Sequence, residues 1–511
     1  MKKVLLYIIG SLTLMSCNDF LDRSPLSDMS PDNYFQEKAE MANWNAGIYS
    51  AFQSALQRNQ VIFGDCRSDN VETTGYINNN IYMNALVPSM SESSWQSFYQ
   101  CITRCNTGIE KYPTIPNILE SEYAPYIGQA YGMRAYMYFW GTRVWGKLPL
   151  INATWDGSLD AINTPRASLE DVKAQILSDI DKAINYFTIN NTTSNFFLGL
   201  AAMHELRLEV YMWYNEYQKA LEESDYFMNN SSYVLAADET EWKEIFTKPA
   251  SSKEVIFAMS WDYTNNGASS GWPGIMGASN TNNGYQMSQA MFEEFVDRLY
   301  SGEGSDSRLW NTVDTVKLYY NASRVPMSYA HYTASGIQKC IKYSVEDPEA
   351  EYDKSNKIYK SKYLVLNTTD SEIQQVFMRL ANVYYLRAEA LNKLGRSAEA
   401  LAIINQLRQR VGYLKDASTE VNSNSQAEVE NLILLERQLE FYGEGQRWFD
   451  LIRTGHLIDV MDPIYSQRQA NAGVTVTGFG NEGTKYWPIY YREFESNTAL
   501  KGDQNQPYPE R

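Results

Sequence analysis

The chain has 511 residues, 44% of them hydrophobic and 14% aromatic, enough for a large core and, on length alone, for two or three domains. Its formal charge of −17 lacks the basic footprint that nucleic-acid phosphates need, and it offers no polybasic membrane patch. The 38 tyrosines and 12 tryptophans stand out, because amphipathic rings can pack through one edge and bind through the other.

Residues 1–16 read as an export signal. Lys2 and Lys3 form a basic start, and the apolar run from Val4 to Leu14 is too short to span a bilayer. Leu14-Met15-Ser16-Cys17 has the form of a bacterial lipobox, which predicts cleavage before Cys17 and acylation of that residue. Acyl chains would hold the protein to a membrane by hydrophobic transfer alone. The bland alternative is secretory cleavage beside an incidental cysteine. Cys66, Cys101, Cys105 and Cys340 read as free thiols in the core, since Cys101 and Cys105 are four apart on an expected helix, a poor spacing for a disulfide. His204, His331 and His456 are far apart, and no HExxH or CxxC pattern occurs, so neither a His/Cys metal site nor a cofactor is expected.

Helical periodicity starts at 39–57, where Met41, Trp44, Ile48, Phe52 and Leu56 share one face, and resumes over Trp95, Tyr99, Ile102, Asn106 and Ile109. Between them Gly64 to Asn84 is long, polar and interrupted, which marks it as functional or disordered. An internal repeat follows. Leu206-Arg207-Leu208-Glu209 and Leu386-Arg387-Ala388-Glu389 each precede an Ala-Leu, Ala220-Leu221 and Ala400-Leu401, and Arg134-Ala135 begins a related pair that ends near Ala183-Ile184. Helix pairs are expected near 39–111, 122–187, 195–230 and 374–412, in a mostly α fold with a tetratricopeptide-like arrangement. Such stacks commonly grip a protein partner. The less regular parts are 58–94 and 231–370.

Within the latter, Trp261 to Gln286 is rich in asparagine, glycine and aromatics and cannot hold a regular helix. Sugars present C–H faces and hydroxyl edges, which flat rings and neighbouring amides match together. Trp261, Tyr263, Trp272 and Tyr285 are therefore candidate platforms, with Asn265, Asn266, Asn282 and Asn283 as hydrogen-bonding partners. Trp261, directly after the strand-like Val255 to Ser260, reads better as core; Trp272, between Gly271 and Pro273, reads as exposed. The same reasoning marks Arg67, Asp69, Asn70 and Tyr76 in the first long excursion, and a third cluster at Tyr329, His331 and Tyr332.

The last part, 425–508, opens with Ser425 and Glu428 at capping-box spacing. Val429, Leu432, Ile433, Leu439 and Tyr442 then form an apolar face up to the break at Gly443-Glu444-Gly445, and Trp448, Phe449, Leu451 and Ile452 return to the same core. Arg437, Glu440, Glu444, Arg447, Asp450 and Arg453 alternate in sign at helical spacings and read as a structural ion lattice. Paired carboxylates could instead serve acid/base catalysis, but no nucleophile, metal set or phosphate cradle lies nearby.

The run Glu444 to Asp450, EGQRWFD, with Leu451-Ile452-Arg453 and Gly455, resembles the C-terminal signature of the SusD/RagB family of Bacteroidetes. So do Asn18 to Asp22, the helix from Met133 to the Trp145-Gly146-Lys147-Leu148-Pro149-Leu150 turn, Asp306-Ser307-Arg308, Trp487-Pro488-Ile489 and Asn505-Gln506-Pro507. The resemblance implies a single domain over 17–511, an outer-membrane lipoprotein anchored through Cys17 on the extracellular face, and a SusC-like TonB-dependent transporter as partner. It also implies a non-catalytic protein that captures a glycan and hands it on. A peptide-capturing member, a purely structural lid and a two-carboxylate glycosidase remain open readings of the residues.

Overall fold

The computed structural model describes residues 34–73, 79–154, 163–262, 270–276, 285–313, 340–343, 345–346, 352–353, 358–359, 363–364 and 373–511. Helices α1 (Ala39–Leu56), α2 (Asn59–Gly64), α3 (Gln96–Lys111), α4 (Glu120–Trp145), α5 (Leu169–Ile189), α6 (Leu200–Trp213) and α7 (Tyr217–Met228) carry the first half, with strand β1 (Val71–Glu72) between α2 and α3. The middle holds α8 (Glu239–Thr247), β2 (Val255–Trp261), the one-turn α9 (Trp272–Ile275), β3 (Gln286–Met287), α10 (Gln289–Tyr300) and α11 (Arg308–Thr312). Four two-residue strands follow, β4 (Val345–Glu346), β5 (Tyr352–Asp353), β6 (Ile358–Tyr359) and β7 (Tyr363–Leu364), then the longer β8 (Ile373–Arg379). The chain ends in α12 (Leu380–Lys393), α13 (Ser397–Gln409), α14 (Gln426–Phe441), α15 (Arg447–Thr454), α16 (Leu457–Asn471) and α17 (Tyr491–Ser496). The fold is mostly helical, as the periodicity indicates.

Helices pack in sequential pairs, α1 with α3, α4 with α5, α6 with α7 and α12 with α13, and the pairs join through α3 on α4, α5 on α6 and α7 on α12. The repeated arginines fasten these joints. Arg134 of α4 holds Asp179 of α5 through two bonds of 2.8 and 2.7 Å. Arg207 of α6 does the same to Glu223 of α7, at 2.8 and 3.0 Å. Arg387 of α12 reaches Ser224 and Asp225 of α7, each at 2.6 Å. Ala220, Leu221, Ala400 and Leu401 are buried, so the small and apolar positions of the repeat face the contacts. Cys66, Cys101, Cys105 and Cys340 are free and buried.

Two expectations shift. The helix pair expected near 374–412 begins instead with a strand, since Ile373–Arg379 forms β8, antiparallel to β2 with Trp261 opposite Ile373 and Val255 opposite Arg379. Buried strand amides need partners, and β8 supplies them to β2. The stretch expected to be irregular also contains the regular helices α8 and α10. At the start of α14 half of the capping box forms: Ser425 Oγ accepts from the Glu428 amide at 3.3 Å, while the Glu428 carboxylate turns to the Asn422 amide at 2.8 Å.

The core is organised around α14. Glu436 and Glu440, one turn apart on α14, and Glu444 in the turn after it are the acidic centre of a buried ion lattice. Glu436 meets Arg298 of α10 at 2.8 Å, Arg308 of α11 at 2.9 Å and Arg408 of α13 at 2.7 Å. Glu440 meets Arg379 of β8 at 2.7 Å, Arg410 at 2.6 Å and Arg308 at 3.3 Å, and accepts from the Trp242 indole at 3.0 Å. Glu444 takes Arg379 at 2.7 Å and Lys342 at 2.6 Å, while Glu254 bridges Arg379 and Arg410 at 3.0 and 2.6 Å. A second knot joins α14 to α15, where Arg437 and Arg453 both grip Asp450 and Arg453 also reaches Glu389. Burial alone would raise the Glu440 carboxyl, but Arg410, Arg379 and Arg308 hold it well below the usual carboxylate range. Glu436 and Asp450 are held down in the same way, against burial, by their own arginines. Removing one partner of such a cluster strands the others without solvent, so Glu440→Gln should cost about 3–5 kcal/mol in chemical denaturation. A loss no larger than that of an exposed pair such as Arg396–Glu399 would show that the lattice carries little of the fold.

Candidate functional site

Several excursions of the chain start and finish in one neighbourhood. Residues 74–78 lie between Thr73 and Asn79, 277–284 between Met276 and Tyr285, and 314–339 between Val313 and Cys340. Their roots are bonded to one another. β1 and β3 pair antiparallel, with Val71 opposite Met287 and Glu72 opposite Gln286. The Ser288 amide donates to the Asn70 carbonyl at 2.8 Å, the Tyr285 amide to the Ile275 carbonyl at 3.1 Å and the Tyr285 hydroxyl to Asn79 Oδ1 at 3.4 Å. Cys340 closes the third root, its amide donating to the Met276 carbonyl at 3.0 Å and its backbone bridging to Val313. The fourth excursion, 263–269, leaves β2 after Asp262 and returns at the buried Ser270, two residues before Trp272.

These roots seat on the break after α14. Gly443 and Gly445 have φ of +78° and +76°, open to glycine without steric cost. The Gly443 carbonyl accepts from the Trp272 indole at 2.9 Å, and the Gly445 amide donates to Asp65 Oδ2 at 2.7 Å. Asn70 Nδ2 donates to the other Asp65 oxygen at 2.7 Å. Burial nevertheless pushes the Asp65 carboxyl up to about 7, against those two bonds and the attraction of Lys342. The segment around it is fixed by Arg468, whose guanidinium donates to the carbonyls of Arg67, Ser68, Val71 and Tyr82 at 3.2, 2.7, 2.7 and 2.9 Å.

The expected ligand platforms consequently divide. Trp272, expected to be exposed, is 2% accessible and meets Tyr343 edge-on at 4.8 Å; the missing side chain of Gly443 leaves room for its ring. Tyr285 is buried beside Tyr82 at 6.4 Å. Arg67 is buried with its guanidinium 3.9 Å above Trp448 and bonded to Asn84 and to the Thr484 and Lys485 carbonyls. Asp69 is clamped by Arg447 at 2.9 and 2.8 Å, and Asn70 is committed to Asp65. All five fasten excursion roots, because a long polar loop laid over a core must satisfy its backbone and charges internally. Trp261 is buried against Phe377, the reading the sequence favoured. Tyr76, Tyr263, Asn265, Asn266, Asn282 and Asn283 lie outside the described residues, as do Cys17 and the cluster Tyr329, His331 and Tyr332.

No group of three or more His, Cys, Asp or Glu among the described residues could hold a metal ion. Burial, reinforced by Asp65, pushes the Cys66 thiol well above its ordinary value, which leaves it inert as a nucleophile. The sequence reading did not identify Glu254, Arg298, Lys342, Arg379, Arg408 and Arg410 as lattice members. Their signal was isolated charge inside apolar runs, as in Glu254 before Val255-Ile256-Phe257 and Arg379 after Val376-Phe377-Met378.

Comparison with known proteins adds an independent line. Residues 253–508 match the sequence model of the SusD family, and residues 19–197 match a SusD-like model described as starch-binding associating with outer membrane. A SusD-like protein P38 of Formosa agariphila is 29% identical, with 98% of each chain covered. A SusD-like protein of Bacteroides ovatus is 24% identical over 88% of this chain and 82% of its own. Among solved structures, a SusD-like protein from Bacteroides fragilis superposes with a TM-score of 0.70 at 18% identity, covering 95% of this chain and 100% of that one. A laminarin-binding SusD-like protein gives 0.65 at 20% identity, covering 92% and 99%.

Trp272→Ala should lower stability by about 3–5 kcal/mol, the cost of an emptied aromatic site, when measured by urea denaturation; a loss under about 1 kcal/mol would return the residue to the surface. For Asp65 the folded pKa of about 7 stands above its ordinary 3.8, so its stabilisation is complete at acid pH and lost as pH rises through about 7. Calorimetric Tm should therefore fall less between pH 5 and 8 in Asp65→Asn than in the parent; equal slopes would show that Asp65 is ionised throughout.

Proposed function

The chain belongs to the SusD/RagB family, and from that premise we propose that it is a non-catalytic glycan receptor at the outer membrane, anchored through acylated Cys17 on the extracellular face. It captures oligosaccharide or polysaccharide and passes it to a SusC-like TonB-dependent transporter, whose own energy drives uptake. The observation that carries this reading is the convergence of excursion roots on a rigid floor. Trp272 and Asp65 bond to the turn after α14, and Tyr285 ties the base of 277–284 to Asn79 at the base of 74–78, so the excursions that carry Tyr76, Tyr263, Asn265, Asn266, Asn282 and Asn283 have their roots joined on the scaffold. Rings and amides in that company suit the alternating C–H faces and hydroxyls of a sugar chain. The laminarin-binding relative, which shares this fold, supports the same ligand class.

A rigid base also has an energetic consequence. Anchors that are already ordered lower the entropy lost when ligand is held, so modest contacts suffice. The acidic composition, with a formal charge of −17, favours neutral over acidic glycans through long-range repulsion.

Titration calorimetry against neutral oligosaccharides derived from laminarin, starch and xylan, with extended peptides in parallel, tests the reading. At least one oligosaccharide should bind while the peptides do not, and Tyr263→Ala combined with Asn265→Ala should weaken it about tenfold, roughly 1.4 kcal/mol, with Tm unchanged. Product analysis after long incubation should return the glycan intact. Binding of peptide alone, or shortened glycan, would overturn the proposal.

A further inference from the structure

A second concavity lies away from the excursion roots. β2 ends at Trp261, beside 263–269, but its first residue, Val255, lies at the edge of a cleft of about 540 Å³ formed by the segment before α6, the end of α7 and residues 250–256. The seven-residue strand sets Val255 ~20 Å from Trp261. Its volume falls within the range of small-molecule sites.

The lining has a definite chemistry. Asn191, Asn195, Phe196, Tyr226, Asn230 and Tyr233 contribute amides and aromatic rings, and Lys253 is the one charged side chain among the lining residues. Amides donate and accept, as do sugar hydroxyls, whereas an anionic ligand would require more than one exposed lysine. The rings are only part buried and are braced from behind. Tyr226 stacks on His204 with centroids 3.8 Å apart, and His204 is itself held to Glu223 at 2.5 Å; Tyr233 rests edge-on against Phe227 at 5.8 Å.

The wall is built as firmly. Asn190 donates to the Ser121 carbonyl at 2.8 Å, the Leu200 amide to Asn191 Oδ1 at 2.9 Å, the Leu198 amide to the Tyr49 hydroxyl at 2.8 Å and the Ala258 amide to the Asn195 carbonyl at 2.8 Å. Small side chains at Ala201 and Ala202 of α6 form the floor and keep the space open. The sequence Asn190 to Phe197, NNTTSNFF, shares the asparagine-and-aromatic composition of residues 261–286.

The geometry points to a second binding site for neutral oligosaccharide in this cleft, separate from the excursion face and resting on the glycan-receptor reading above. Two sites on one rigid chain let a long glycan engage both, raising retention through effective concentration without tighter individual contacts.

Hydrogen exchange of the full chain with laminarin-derived and starch-derived oligosaccharides reads this site directly. Peptides spanning 191–202 and 226–233 should gain protection. Ala250→Trp, at the exposed rim where no fold contact is lost, should abolish that protection and reduce the calorimetric stoichiometry from two to one, with Tm unchanged. Oligosaccharide binding that leaves both peptides unprotected, or that keeps its stoichiometry in Ala250→Trp, overturns the second site while the receptor reading stands. Absence of oligosaccharide binding anywhere overturns both.

Discussion

The carboxylate ladder that runs from α14 into the turn after it is the interaction on which the rest of the structure depends. Glu436, Glu440 and Glu444 gather cations from α10, α11, α13, β8 and the segment at Lys342, elements far apart in the chain. Buried ion pairs are weak sources of net stability because desolvation offsets much of the attraction. Their strength is geometric: an arginine fork accepts a carboxylate in few orientations, so a cluster that is fully paired admits one arrangement of its helices. The lattice therefore fixes how the middle of the chain docks on its final third.

Three consecutive residues then transmit that arrangement to the excursion side. Glu444 belongs to the lattice, while Gly443 on one side holds Trp272 and Gly445 on the other holds Asp65. Large aromatics in this protein consequently serve as wedges beneath the excursions. At the other end of the core, the C-terminal tail closes onto α4: the Trp487 amide donates to the Val144 carbonyl at 2.8 Å, and Asn505 donates to the Trp145 and Trp487 carbonyls at 2.9 and 2.8 Å. Three of the motifs that carry the family resemblance thus form one joint, and the tail stabilises the end of α4.

Much of the helical framework was legible in the chain itself. The 39–57 and 95–111 periodicities correspond to α1 and α3 within a residue or two, and in the charged run Arg437 and Arg453 pair with Asp450 as the alternation implies, while Glu440, Glu444 and Arg447 take partners from distant segments. Helices are local, so the face that a residue occupies follows from spacing alone. β8 departs from the expected helix because a short apolar stretch before a helix has no periodicity of its own to separate strand from helix, and its state is set by the need of β2 for a partner.

The fate of individual aromatics was not written locally. Gly-Trp-Pro at 271–273 has the composition of an exposed turn, yet Trp272 is buried because Gly443, 171 positions away, leaves a space and a carbonyl for its indole. Arg67 and Asp69 look like polar loop residues until Trp448 and Arg447 are brought beside them. By itself the sequence determined most of the helices, the charged run at 437–453 and the family, since these depend on short-range spacing and contiguous motifs. Tertiary structure decided which rings became wedges and where a cleft remained open, because burial is set by contacts between segments that only the folded chain brings together.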